Sequence, residues 1–99
     1  MSLERAISKA RCDIIQELCK KKALTLNLSQ IVIDQAFNII RKYEKRPRNQ
    51  KIINFPKIAA ASLYQACCIE YEWKSVAVIA KSFEIPITTL RNGIKIINV

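Results

Sequence analysis

The 99 residues carry 17 Lys and Arg against 8 Asp and Glu, with no histidine, one glycine, three prolines and 51% hydrophobic content. That length is one domain with enough apolar material for a core, which excludes global disorder, and the scarcity of glycine and proline disfavours a turn-rich sheet and favours helices. A formal charge of +9 attracts nucleic acid or another acidic partner, while the missing histidine and eight acids without paired spacing argue against an enzyme.

The charge is uneven: residues 1–51 sum to +7 and residues 52–99 to +2. No stretch of 18 apolar residues occurs and the N-terminus is amphipathic and charged, so an intracellular protein with no membrane partner is expected. Cys12, Cys19, Cys67 and Cys68 form no CxxC pair, and they read as small hydrophobes rather than ligands. No metal or cofactor is expected.

In chain order, Leu3, Ile7, Ala10, Ile14 and Leu18 recur at helical steps and predict the buried face of a first helix, with Ser2 at its cap and Lys20–Lys22 at its C-terminal end. Leu24–Leu28 reads as a linker whose leucines tuck inward. Asn27 or Ser29 then caps a second helix with Val32, Ala36, Ile39, Ile40 and Tyr43 inward, running to about Glu44. The segment Arg41–Lys51, RKYEKRPRNQK, holds six bases and one acid, and Pro47 ends any helix there. An exposed cationic loop suits a phosphate backbone, and it is equally a plain solvated connection. Lys45, Arg46, Arg48 and Lys51, with Lys74 further on, are the candidate phosphate contacts.

Asn54–Ile69, NFPKIAAASLYQACCI, has small or apolar side chains round most of a helix, which predicts a central buried position. Asn54 caps it and Pro56 fits its first turn. Tyr71 and Trp73 in the following connection are expected to pack at the core or its edge. Ser75 caps a short helix offering Val76, Ala77, Ile79, Ala80 and Phe83, then Glu84-Ile85-Pro86 turns the chain. Thr88 or a neighbour opens a last helix with Leu90, Ile94 and Ile97 inward. This is the pattern of a helix-turn-helix over 75–97, whose second helix lies in the major groove. Its outward candidates are Thr88, Thr89, Arg91, Asn92 and Lys95: Arg91 can pair bidentately with guanine and Asn92 with adenine, the threonines can reach phosphate or a thymine methyl, and Lys95 the backbone. Gly93 permits close approach to another helix or to DNA, or marks fraying.

The segment Lys57–Ile97, KIAAASLYQACCIEYEWKSVAVIAKSFEIPITTLRNGIKII, resembles one cyclin-like repeat of transcription factor IIB and archaeal transcription factor B. The likeness rests on Ile58–Cys67 for the IAAAxLYxAC helix, on Ile79-Ala80 and on Thr89-Leu90-Arg91, which is most like the second repeat. It implies an all-α, five-helix cyclin-like domain over residues 1–99, with the third helix central and a C-terminal helix-turn-helix. It also implies a DNA-binding transcription initiation factor or regulator. Family proteins bridge the TATA-binding protein, promoter DNA and RNA polymerase, so those are the partners the likeness suggests beside duplex DNA. With one repeat and no zinc-ribbon cysteine pairs, bridging calls for a homodimer, a partner or a further portion of the protein. The alternative is a cyclin-like protein–protein interaction module that binds a transcription or cell-cycle partner without reading DNA.

Overall fold

The computed structural model describes residues 3–45 and 54–98, which form five α-helices and no strand: α1 (Leu3–Thr25), α2 (Gln30–Glu44), α3 (Phe55–Ile69), α4 (Val76–Ser82) and α5 (Ile87–Ile97). The expected Ser2 cap lies outside the described residues, and so do the side chains of Leu3 and Ile7. No described helix is long and apolar enough to cross a membrane.

Helix α3 starts as its sequence dictates. Asn54 Oδ1 accepts the Lys57 backbone N–H at 3.0 Å, and Pro56 occupies a first-turn position where no N–H donor is needed. Ile58, Ala59, Ala60, Ala61, Leu63, Ala66 and Cys67 are all buried, and α3 packs against each of the other four helices. The apolar circumference that predicted a central helix is thus matched by neighbours over most of it. The cover is incomplete at Tyr64 and Cys68, which are half-buried, and at Ile69, which is exposed.

Helix α1 departs from expectation in two ways. Its buried residues are Ile15, Cys19 and Ala23, with Cys12 and Leu18 packed at the margin, whereas Ala10 is exposed and Ile14 is 49% exposed. The inward stripe is therefore turned by about one residue, because Cys12 and Cys19 act as small hydrophobes and carry it. The helix also continues through Thr25, past Lys20–Lys22, so Leu24 lies on its exposed outer side, and of the supposed linker leucines only Leu28 is fully buried. The chain stops at Asn27, whose φ of 59° is left-handed: the Leu28 N–H donates to Ala23 O (3.0 Å) and the Asn27 N–H to Leu24 O (3.1 Å). Those bonds use carbonyls the helix end would otherwise leave unpaired.

Helix α2 ends at Glu44 as predicted and buries Val32, Ala36, Ile40 and Tyr43, joined by Ile33, while Ile39 is half-buried. Arg11, early in α1, reaches Glu44, late in α2, at 3.7 Å, so the two helices run antiparallel. Ser29 holds the cap position of α2 but its hydroxyl makes no cap bond. Its backbone N–H instead donates to Glu72 Oε2 at 3.1 Å, across 43 residues of sequence. That contact ties the start of α2 to the connection after α3.

The C-terminal pair is set by similar local rules. Ser75 Oγ accepts the Val78 N–H at 3.1 Å and opens α4, which buries Ile79 and Ala80. It closes on Glu84, with φ 57°, through bonds from the Ile85 N–H to Ala80 O (3.0 Å) and the Glu84 N–H to Lys81 O (3.1 Å). Pro86 then stands at the cap of α5, so Ile87, the neighbour of Thr88, begins the helix and Thr88 falls inside its first turn. Leu90, Gly93 and Ile97 are buried and Ile94 is partly so. A Cβ on Gly93 would lie 2.8 Å from Lys57 Cγ, 2.9 Å from Lys57 O and 3.1 Å from Ala61 Cβ. Of the readings open for this glycine, close approach to a neighbouring helix is the one observed.

Candidate nucleic-acid interface

Burial of Leu90, Gly93 and Ile97 against the core turns the opposite side of α5 outward. Thr88, Arg91, Asn92 and Lys95 are exposed at three- and four-residue steps and share one stripe, with Thr89 half-buried at its flank. None of the four side chains makes a hydrogen bond or ion pair with another described residue. The stripe offers a guanidinium, an amide, a hydroxyl and an ammonium in a row, groups that can read base edges or hold phosphate.

Two contacts orient α5. Gly93 abuts Lys57 and Ala61, and Asn98 Nδ2 donates to Gln65 Oε1 at 3.4 Å, so α5 runs in the same sense as α3 and its first turn comes level with the start of α3. The end of α2 is at that same end of the molecule, because Glu72, just after α3, holds the start of α2. Exposed Arg41, Lys42 and Lys45 therefore belong to the end from which α5 starts. Arg41 and Lys42 belong to the basic run and lie on the last turn of α2, as its expected end near Glu44 implies. A groove of about 390 Å³ between α1 and α2 carries Lys9, Arg41 and Lys45 on its walls, with Asp13 and Glu44 interleaved. Its mixed charge makes it no selective anion pocket.

Of the candidate phosphate contacts, the two described ones, Lys45 and Lys74, are not brought together. Arg46, Arg48 and Lys51 lie outside the described residues. Lys74 is half-buried in the connection after α3, beside the start of α2, while Lys45 follows its end. The 15 residues of α2 span about 22 Å, and Lys74 is separated from Lys45 by roughly that length.

Tyr71 and Trp73 are not core or edge residues: they are 79% and 66% exposed, and their rings meet edge to face with centroids 6.3 Å apart. They stand outward because the connection is pinned from beneath. The Glu72 N–H donates to Cys67 O at 3.0 Å, Tyr71 takes a left-handed φ of 59°, and the Glu72 carboxylate is held by Ser29. The closeness of Ser29, whose backbone N–H donates to it, keeps the Glu72 carboxyl below its usual range. No spacing in the sequence announces a bond between residues 29 and 72.

The cysteines take no part in the stripe. Burial pushes the Cys19 thiol up to about 12 and the Cys67 thiol up to about 11, each helped by a neighbouring thiol, so both stay protonated at neutral pH and are poor nucleophiles. Comparison with family models, with curated proteins and with solved structures finds no match to this chain.

Proposed function

We propose that the protein is an intracellular DNA-binding transcription factor or regulator that contacts duplex DNA through α5, with α4 as the supporting helix of a helix-turn-helix in a single cyclin-like domain. The observation that carries this reading is the outward stripe of Thr88, Arg91, Asn92 and Lys95, whose side chains bond to no other described residue, starting at the end where Arg41, Lys42 and Lys45 are exposed. A central α3 contacted by four helices, and a left-handed turn between a short α4 and α5, are in keeping with it. In this reading Arg91 and Asn92 face base edges, Thr88, Thr89 and Lys95 sit at the groove wall, and Lys45, with Arg46, Arg48 and Lys51, meets phosphate. One such helix with a bidentate contact or two discriminates weakly, so a second binding element, from a second copy or from a partner such as the TATA-binding protein or RNA polymerase, completes the affinity.

Fluorescence anisotropy with duplex DNA at two salt concentrations tests the reading. Binding should weaken steeply with salt, and Arg91→Ala should lose about 1–3 kcal/mol at preferred sequences while leaving non-specific binding nearly unchanged. Absence of binding at low salt would turn the assignment to the cyclin-like protein-interaction module, a reading that the exposed Tyr71 and Trp73 favour.

A further inference from the structure

Gly93 does more than let two helices meet. The atom nearest to the position a Cβ would take there belongs to a charged side chain: Lys57 Cγ lies at 2.8 Å, ahead of Lys57 O at 2.9 Å and Ala61 Cβ at 3.1 Å. The stem of a first-turn lysine of α3 therefore lies against bare backbone of α5, in the space that a side chain of α5 would otherwise fill. Lys57 is half-buried, as befits a lysine that lays its methylenes on a neighbour and keeps its ammonium in water. That ammonium has no hydrogen-bond or ion-pair partner among the described residues.

Helix geometry gives the direction. Side chains on a helix slant toward its N-terminus, and α3 and α5 run in the same sense, so the Lys57 stem heads toward the first turn of α5. Thr89 lies four residues before Gly93 on the same side of α5, and Asn92 follows Thr89 by three, at the adjoining edge of the outward stripe. One turn is about 5.4 Å, a distance a lysine side chain spans, which brings the ammonium to the level of the Thr89 hydroxyl. Neither α3 nor α5 has an acid in its first turn to compete for that cation. Arg41, Lys42 and Lys45 are exposed at the same end of the molecule.

We infer that Lys57 is a phosphate contact of the duplex-binding surface, its ammonium and the Thr89 hydroxyl meeting one strand's backbone along the Asn92 edge of the α5 stripe. The inference rests on the duplex reading of α5 given above and adds to it a residue from a different helix, one that sets the register at which α5 enters the groove. Gly93 prepares the contact, because a stem already laid against backbone loses little freedom when DNA arrives.

Anisotropy titrations of the full chain over a salt series, with two short duplexes, one A·T-rich and one G·C-rich, test this. Lys57→Met keeps a stem against Gly93 and removes the charge. It should weaken binding severalfold and equally on both duplexes, and lower the slope of log affinity against log salt by about 1. Lys57→Arg should keep the native slope. Lys20→Met removes the same charge from an exposed position near the far end of α1 and should leave the slope unchanged, which separates a contact from a loss of net charge. A slope for Lys57→Met no lower than that for Lys20→Met would overturn the phosphate role and leave the duplex reading intact. So would a loss confined to one duplex, the mark of a base-reading residue. A native chain that binds neither duplex at low salt would overturn both.

Discussion

Gly93 and Glu84 show how the placement of one hydrogen or one Cβ shapes this molecule. The single glycine is in the interior of α5, where helix propensity disfavours it by about 1 kcal/mol, because α3 comes so near that a Cβ would lie 2.9 Å from the Lys57 carbonyl oxygen. Meanwhile Asn27, Tyr71 and Glu84 occupy left-handed positions at three helix ends, where glycine is the usual choice. Only asparagine among them accepts that conformation readily. Two substitutions measured by urea denaturation should move in opposite directions. Gly93→Ala should destabilise by about 1–2 kcal/mol despite its better propensity, since the Lys57 backbone has to shift to admit the methyl. Glu84→Gly should stabilise by about 1 kcal/mol by relieving the Cβ strain at φ 57°. The glycine's two readings could not be resolved from sequence because the approaching atoms come from residues 57 and 61, on another helix.

At the scale of elements, caps and stops were the legible part. Asn54, Pro56 and Ser75 work within three residues of themselves, and the structure uses all three as expected. Ser29 was the plausible cap of α2, yet its own hydroxyl makes no cap bond and its N–H is served by Glu72. That contact has a pH signature. The folded Glu72 carboxyl titrates below its ordinary 4.5, so it contributes stability that is fully present above that value and is lost as pH falls through the folded pKa. In Glu72→Gln this contribution does not titrate. Thermal denaturation of dilute protein should show the native chain above the variant at neutral pH and the gap between them closing below about pH 4.5. A gap that widens on acidification would contradict the contact. The face of α1 was misjudged for a related reason: a helix with apolar residues on two adjacent stripes has two admissible orientations, and only contact with α2 and α3 chooses Ile15, Cys19 and Ala23.

For the whole molecule, the charge summed along the chain says less than its arrangement in space. The antiparallel course of α1 and α2, together with α5 running in the sense of α3, gathers Arg41, Lys42, Lys45 and the first turn of α5 at one end. The Glu72–Ser29 bond carries Tyr71, Trp73 and Lys74 to the other. Trp73→Ala should therefore leave anisotropy titrations of a single short duplex within twofold of native, since Trp73 and the first turn of α5 lie at opposite ends. Lys74, grouped by composition with the phosphate contacts, is the residue whose expected role this geometry most weakens.

Sequence by itself determined the all-helical class, the extents of α2 and α3 to within a residue, the central place of α3 and the outward stripe of α5. Those features follow from local chemistry: hydrogen-bond caps within one turn, the 3.6-residue recurrence of apolar side chains, and the near absence of glycine. Only the tertiary structure decided which side of α1 is buried, that Gly93 admits α3, and that Tyr71 and Trp73 stand in solvent. Each of those depends on a distant part of the chain, by α2 and α3 packing on α1, by Lys57 against Gly93 or by Ser29 to Glu72, and a periodic pattern carries no record of which helix will arrive opposite it.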